Sequence, residues 1–397
     1  MNTIELLNII ALGETSTVQF KEHLDNDISI AAEMIAMSNA KGGIILFGIK
    51  DKTGDIIGLD YEQLQTTGNR LATIASDGIK PQIFITTEVI TISTKEAEDK
   101  NILIATVPEG IAKPYKDKNG TIWMKQGPDK RRLTDNNEQA RLFQQSGILY
   151  TDELIVPQTS VEDLDYSKVE QYIAAIQKQE TEGKKEITEI LLKNLNIFKN
   201  GQLTLAGLLF YGKKPQQYRP AFCIKAVSFF GNSIGGTEYR DSKDIIGTIP
   251  EMFTAAISFF TSNLHAVQDG QNFNSVGKLE ISRIALEELL QNALVHRDYS
   301  KNAPIRIMIF DNRIEIVSPG TLPNSLTVEN IKMGNAVVRN NLLVSYCSKL
   351  MHYRGFGSGI TRALEAQPDI KMINDVEGEQ FKVIIPRKIS REKAGNL

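Results

Sequence analysis

ALEELLQNALVHRDYS, residues 285–300, is the stretch from which the fold of this chain is read. Its apolar residues recur at helical spacing, and Glu288 and Asn292 stand four apart, on one helical face. A carboxylate beside an amide can hold a hydrated divalent cation and activate a water molecule. Glu288 is the candidate general base, and Asn292 is a neutral oxygen donor that suits Mg²⁺. Glu287 points about 100° away and is the weaker choice. Farther on comes RGFGSGITRALE, residues 354–365, a glycine-rich turn that runs into a helix. Gly355, Gly357 and Gly359 would let the backbone approach phosphate oxygens, and the helix N-terminus that follows favours negative charge. Arg339 and Arg354 are candidates to neutralise that charge. The two stretches together predict a nucleotide site.

The elements between them set the fold class. A helix over 282–295 precedes two strands, IRIMIF (305–310) and RIEIVSPG (313–320). A helix around LLVSYCSKL, the glycine turn with its helix, and the strand FKVIIP follow. Neighbouring strands that can pair antiparallel, with helices grouped beside them, predict an α+β sandwich, not a parallel doubly wound sheet. Singly, a Glu-x-x-x-Asn helix or a glycine turn is a weak signal. Their order, with HRDYS (296–300), DNRIEIVSPGTLP (311–323) and VVRNNLL (337–343), carries the argument. In that order the segment resembles the GHKL (Bergerat) ATP-binding domain shared by gyrase, Hsp90, histidine kinases and MutL, in the divergent form found fused to DNA-binding modules.

The resemblance implies a Bergerat-type α/β sandwich that takes ATP and Mg²⁺. Asn292 would hold the Mg²⁺, Glu288 would polarise the hydrolytic water, and the glycine turn would belong to the ATP lid. The wider superfamily binds the adenine amino group with an aspartate in a DxGxG motif. This chain has Val317, Ser318, Pro319 and Gly320 there, so Ser318 is the candidate substitute, with Gly320 beside it. His296 alone reads as a structural hydrogen-bonder. His-Arg-Asp does not indicate a kinase, because the accompanying motifs are missing, and there is no Walker A motif.

The chain has 397 residues, 41% hydrophobic and 23% charged, with a formal net charge of -3. That length suggests more than one domain, and that charge confines any nucleic-acid contact to a local patch. Cys223 and Cys347 are far apart in apolar contexts and indicate neither a disulfide framework nor a zinc site. No signal peptide or membrane span is expected, and the expected location is the cytoplasm of a bacterium.

The N-terminal region reads as an α/β unit. ETSTVQFKEHL suggests a strand edge with Val18 and Phe20 on one side. Asp27 is expected to cap a helix that stops at Gly42-Gly43. IILFGIK reads as a buried strand, and QIFITTEVITIS, KNILIATVPEG and GTIWMKQG read as further strands. Between residues 113 and 132 seven basic residues (Lys113, Lys116, Lys118, Lys125, Lys130, Arg131 and Arg132) face two acids, Asp117 and Asp129. Tyr115 and Trp123 interleave them and could stack on bases, although Trp123 singly reads as core.

ETSTVQFK (14–21) and AMSNAKGGIILFGIKD (36–51) resemble the AlbA_2 domain of the Schlafen group, through Glu14, Phe20, Lys21, Asn39, Gly42, Gly43, Gly48 and Asp51. The resemblance extends through Lys113-Pro114-Tyr115 and WMKQGPDKRRL and implies nucleic-acid binding. Lys21, Lys113, Lys125, Lys130, Arg131 and Arg132 are the candidate contacts. In nuclease-active relatives two glutamates and an aspartate hold a metal for RNA cleavage. Here Glu14 and Asp51 match, and Gln19 stands at the second glutamate, which favours binding over cleavage.

These readings divide the chain into an AlbA_2-like domain (1–150), a middle connecting region (151–275), an ATP-binding domain (276–390) and a polar tail (391–397). The middle region is expected to contain a helix after Asp165, a helix over EITEILLKNLNIF, a helix ending near Gly212, a strand FCIKAVSFF and a long apolar helix that ends at SNL. Proteins with this architecture often carry a winged helix after the ATPase domain; too few residues follow residue 387 for one, so DNA contact is assigned to the N-terminal module. The expected function is an ATP-binding, DNA-binding transcriptional regulator, more for DNA than RNA and with a homodimer left open. It would be at most a weak ATPase. The alternatives are a metal-dependent tRNA endonuclease and a scaffold that binds no nucleotide.

Overall fold

Strand Gly43–Phe47 carries side chains to two opposite cores, because successive residues of a strand face opposite ways. Ile45 and Phe47 join one cluster and Leu46 joins another. This explains why IILF reads as an unbroken apolar run. The computed structural model describes residues 1–51, 53–93, 99–177, 187–235, 238–268, 277–323, 326–351 and 357–387. The chain divides into two compact units, Met1–Leu149 and Tyr150–Leu397.

In the first unit the strand order is Val18–Lys21, Gly43–Phe47, Asp99–Val107, Thr86–Ser93. The first pair is parallel and the others are antiparallel. Val18–Lys21 is an edge, and Val18 and Phe20 lie against the same cluster, as expected. The polar loop expected between the two long strands lies at 94–98, outside the described residues. Helix Asp27–Asn39 makes the crossover between the parallel strands; its N-cap is Asn26, not Asp27, and the Asn26 side chain accepts from Ser29 N–H. Gly42 has φ 73°, and a Cβ there would come within 2.6 Å of the Glu109 nitrogen. A Cβ on Gly43 would meet the Thr17 carbonyl at 2.4 Å. The paired glycines therefore allow close backbone packing as well as stopping the helix.

The sequence reading omitted helix Tyr61–Asp77. Its signals were present: an Asp60–Gln63 capping box, and Thr67, Leu71, Ile74 and Ala75 on one buried stripe. GTIWMKQG forms strand Trp123–Gln126, one arm of a hairpin with Asp129–Arg132 that turns at Gly127 (φ 61°).

The second unit is built on a six-stranded sheet. Its order is Tyr239–Ile245, Ile224–Phe229, Ile305–Ile309, Arg313–Pro319, Gln380–Pro386, Lys371–Asp375. One pair, Ile224–Phe229 with Ile305–Ile309, is parallel, and the rest are antiparallel. The first two strands come from the stretch read above as a connecting region. They share a sheet, and one hydrophobic core running from Val156 to Ile385, with the strands of the segment 276–390. The α+β expectation holds for both units. EITEILLKNLNIF gives a helix only over Glu189–Asn194. Asn196 then takes φ 55° and Phe198–Lys199 pairs with Gln202–Leu203, so the last residues form a hairpin instead. The helices Tyr166–Gln177, Leu205–Tyr211 and Ile249–Asn263 agree with the sequence. Among the described residues no helix is long and apolar enough to cross a membrane.

A carboxylate ties the start of this unit to its late part. Asp152 is 0% exposed, and its Oδ2 accepts from the N–H groups of Leu342 and Leu343, the first turn of helix Asn341–Leu350. Its Oδ1 is buried with no hydrogen-bond partner among the described residues. Burial pushes the Asp152 carboxyl up to about 6, against the pull of the two N–H bonds. An acid whose folded value lies above its unfolded value binds more protons when folded, so stability is lost as pH rises through the interval from about 4 to 6. Asp152→Asn keeps an acceptor without the charge. Its stability relative to the wild type is expected to improve from pH 4 to pH 7 by on the order of 2–3 kcal/mol. Denaturation at several pH values checks this, and parallel profiles for the two proteins would refute it.

Candidate nucleotide cleft and basic face

Helix Arg283–His296 holds Glu288, Asn292 and His296 along the wall of a cleft. Ser318, Gly320, Thr321, Asn335, Arg339, Gly357, Gly359 and Arg362 also line it. Space in the cleft is about 1040 Å³, open mouth included. Glu288, Asn292, Ser318, Gly320, Arg339, Gly357 and Gly359, named from the sequence, thus converge on one cavity. Arg354 and Gly355 lie outside the described residues.

The end of the Glu288 helix is closed by side chains from elsewhere. Ser318 donates to the Ala293 carbonyl and Tyr299 to Leu294, and the Asn340 amide donates to both Val295 and Arg297. These bonds satisfy carbonyls that a helix terminus leaves open. The Ser318 proton is therefore directed into the helix, which leaves its oxygen as an acceptor. The Asn292 amide nitrogen donates to the Glu288 carbonyl at 2.8 Å, so its oxygen is the atom left to face a cation. Oxygen is the donor type Mg²⁺ takes, and the partly exposed position leaves room for its waters. The residues present fit a Mg²⁺–nucleotide in this respect.

The glycine turn closes directly on these groups. A Cβ on Gly359 would stand 2.5 Å from Glu288 Oε2 and 3.4 Å from Asn292 Nδ2. Gly357 has φ 74°, and a Cβ there would meet the Gly334 carbonyl at 2.1 Å. Gly320, at φ 97°, is crowded by Asp298 and Arg339. Arg339 donates to the Thr321 carbonyl at 2.7 Å. Burial lowers its pKa from the usual value, with the Asp298 carboxylate opposing. The His296 ring keeps some surface toward the cleft yet is surrounded by protein; burial, and then the Arg339 guanidinium, push it down to about 4. His296 is neutral near pH 7, so the cations that line the cleft are Arg339 and Arg362.

The sequence reading missed Arg362. Its Nη2 lies 2.6 Å from Glu288 Oε1. Arg362 sits in the quoted stretch one turn past Gly359, but only the packing of helix Ser358–Ala366 on helix Arg283–His296 brings it to Glu288.

The first unit presents a different picture from its sequence. Glu14 accepts from the Gln19 amide and from Phe20 N–H. Asp51 pairs with Lys21. Lys125 is corrected from a nucleic-acid contact to an internal ion: its side chain is 2% exposed, paired with Glu33, which is 3% exposed, and it donates to Gln19 Oε1. Lys130 also pairs with Glu33, Lys113 with Glu109, and Arg131 makes a two-pronged pair with Glu138. The partners lie outside 113–132, so local charge counting did not reveal them. Arg132 is exposed and lies over the Trp123 ring. Tyr115 is corrected from a base-stacking residue to a core residue, 5% exposed. Trp123 is partly buried and donates to Asp117. Asn39 is saturated: it donates to the Tyr115 and Trp123 carbonyls and accepts from Tyr115 N–H.

Glu33→Ala leaves the Lys125 ammonium buried and uncompensated, and is expected to destabilise the first unit by about 3–5 kcal/mol. A large drop in its melting transition is the readout, and an unchanged transition would contradict the buried pair. Gly357→Ala is expected to cost about 1–3 kcal/mol, because its Cβ would meet the Gly334 carbonyl at 2.1 Å from a left-handed backbone, measured by denaturation with circular dichroism as a check on retained fold.

A family model described as "Schlafen, AlbA_2" matches residues 14–134. A second, described as "Putative ATP-dependent DNA helicase recG C-terminal", matches residues 302–385. Its match begins after the helix that carries Glu288 and Asn292. A domain of unknown function (DUF8451) matches residues 140–225. No curated protein matches the chain. Among solved structures, the DIP2311 protein from Corynebacterium diphtheriae is similar at 19% identity and a TM-score of 0.46, over 97% of this chain and 80% of that one.

Proposed function

From a chain that joins a Schlafen AlbA_2 domain to a recG C-terminal-type HATPase domain, we propose an ATP-binding, DNA-binding transcriptional regulator of the cytoplasm. In this reading the nucleotide state of the C-terminal domain is coupled to nucleic-acid binding by the N-terminal one. The observation that carries it is the convergence of Glu288, Asn292, Ser318, Arg339 and the glycine turn on one cleft. Asn292 would hold Mg²⁺, and Gly357 and Gly359 would face the phosphates. Ile316, Ile331 and Val383 are apolar walls suited to a flat base, and the Ser318 oxygen is an acceptor for an adenine amino group. Glu288 would polarise water, which supports at most a slow ATPase.

RNA cleavage is the weaker reading. Glu14 and Asp51 already hold Gln19 and Lys21, and the Gln19 oxygen takes the Lys125 ammonium, a fixed positive charge beside the place where a third carboxylate would be needed for a metal.

ATP with Mg²⁺ is expected to raise the melting temperature of the second unit, by about 2.7 kcal/mol of stability at a hundredfold excess over Kd. Asn292→Ala should remove the Mg²⁺-dependent part. No shift with any nucleotide would reject nucleotide binding. For the basic face, Arg131→Ala with Arg132→Ala is expected to weaken DNA binding and lower the salt slope by about 1 per lost phosphate contact. Unchanged affinity across a salt titration would remove that face from the interface.

A further inference from the structure

We propose that Arg362 senses the terminal phosphate of a nucleoside triphosphate, and that it does so by exchanging Glu288 for that phosphate. The inference rests on the nucleotide reading above and adds a regulatory element to it. The pair Arg362 Nη2–Glu288 Oε1 spans the cleft wall at 2.6 Å and joins the helix of the water-polarising residue to the helix behind the glycine turn. Both residues line the cleft. The Arg362 side chain is 34% exposed while that of Glu288 is 11% exposed, so a competing anion reaches the guanidinium from the cleft although the carboxylate it holds is nearly buried. Its Nε is buried with no hydrogen-bond partner among the described residues. Part of the guanidinium donor set is thus unused.

A guanidinium offers a rigid fork of donors and binds phosphate in a two-pronged way that one carboxylate oxygen does not match. Arg339 cannot take this role as readily, because its Nη2 is held by the Thr321 carbonyl. Gly359, with no side chain, lets the turn stand directly against Glu288 and Asn292, so a phosphate approaching the turn meets Arg362 and Glu288 together. While Arg362 holds Glu288, the carboxylate is not directed at water. A terminal phosphate that takes the guanidinium ends that pairing. A diphosphate lacks that group and leaves the pair closed.

The test is equilibrium binding of ATP and of ADP, each with Mg²⁺, to the full chain and to Arg362→Gln, Glu288→Gln and the double variant. Wild-type protein is expected to prefer ATP. Arg362→Gln should lower ATP affinity about tenfold or more while ADP affinity stays within about twofold. Glu288→Gln should raise ATP affinity by removing the competitor. In the double variant, which removes both charges of the pair, the ATP preference should stay lost. Equal changes for ATP and ADP in Arg362→Gln, or an ATP preference that returns in the double variant, would overturn the proposal. If the wild type binds neither nucleotide, the nucleotide reading itself fails, and the proposal fails with it.

Discussion

The second unit depends on how the last turn of helix Arg283–His296 is finished. Its C-terminal carbonyls are collected by Ser318 from a strand, Tyr299 from the following turn and Asn340 from a distant loop. Each such bond contributes only about 1 kcal/mol net, but an unmade one in a buried place costs more. The helix therefore has a single favourable seating against the sheet. That seating sets Glu288 and Asn292 under Gly359, where a Cβ would stand 2.5 Å from the Glu288 carboxylate. The cleft is a consequence of a satisfied helix end.

Both units keep charge in places from which water is largely excluded. Arg297, 2% exposed, lies over the rings of Phe222 and Tyr299 and donates to the carbonyls of Lys301 and Ala303. In the first unit Glu33 joins Lys125 and Lys130 across helix and hairpin. Buried pairs of this kind add little net stability, but breaking one is costly, so they act to specify a register. The Arg of His-Arg-Asp is thus a packing residue, and two lysines of the basic stretch fix the hairpin to helix Asp27–Asn39.

Much of the cleft was legible because its residues sit in short segments whose chemistry is local. The Glu288–Asn292 spacing needs only a helix. The glycines need only a turn in the left-handed region, which Gly357 and Gly320 adopt. What was not legible depends on pairings across the chain. Arg362 meets Glu288 because two helices cross, and Asp152 caps helix Asn341–Leu350 from nearly two hundred positions away. The basic stretch misled for the same reason. Charges counted in a window omit the acids that folding brings to them: Glu33, Glu109 and Glu138. Helix Tyr61–Asp77 is a different case, since its capping box and apolar stripe were both local.

The sequence by itself determined the two kinds of domain, the helix of the water-polarising and metal-holding candidates, and the glycine turn. These follow from periodicity, spacing and backbone freedom, which act over a few residues. Tertiary structure alone decided that strands Ile224–Phe229 and Tyr239–Ile245 belong to the sheet that carries the candidate cleft, that Lys125 is an internal ion, and that Glu288 is held by Arg362. Those outcomes turn on which polar groups are desolvated together. Desolvation is a property of the packed chain, and no segment carries it alone.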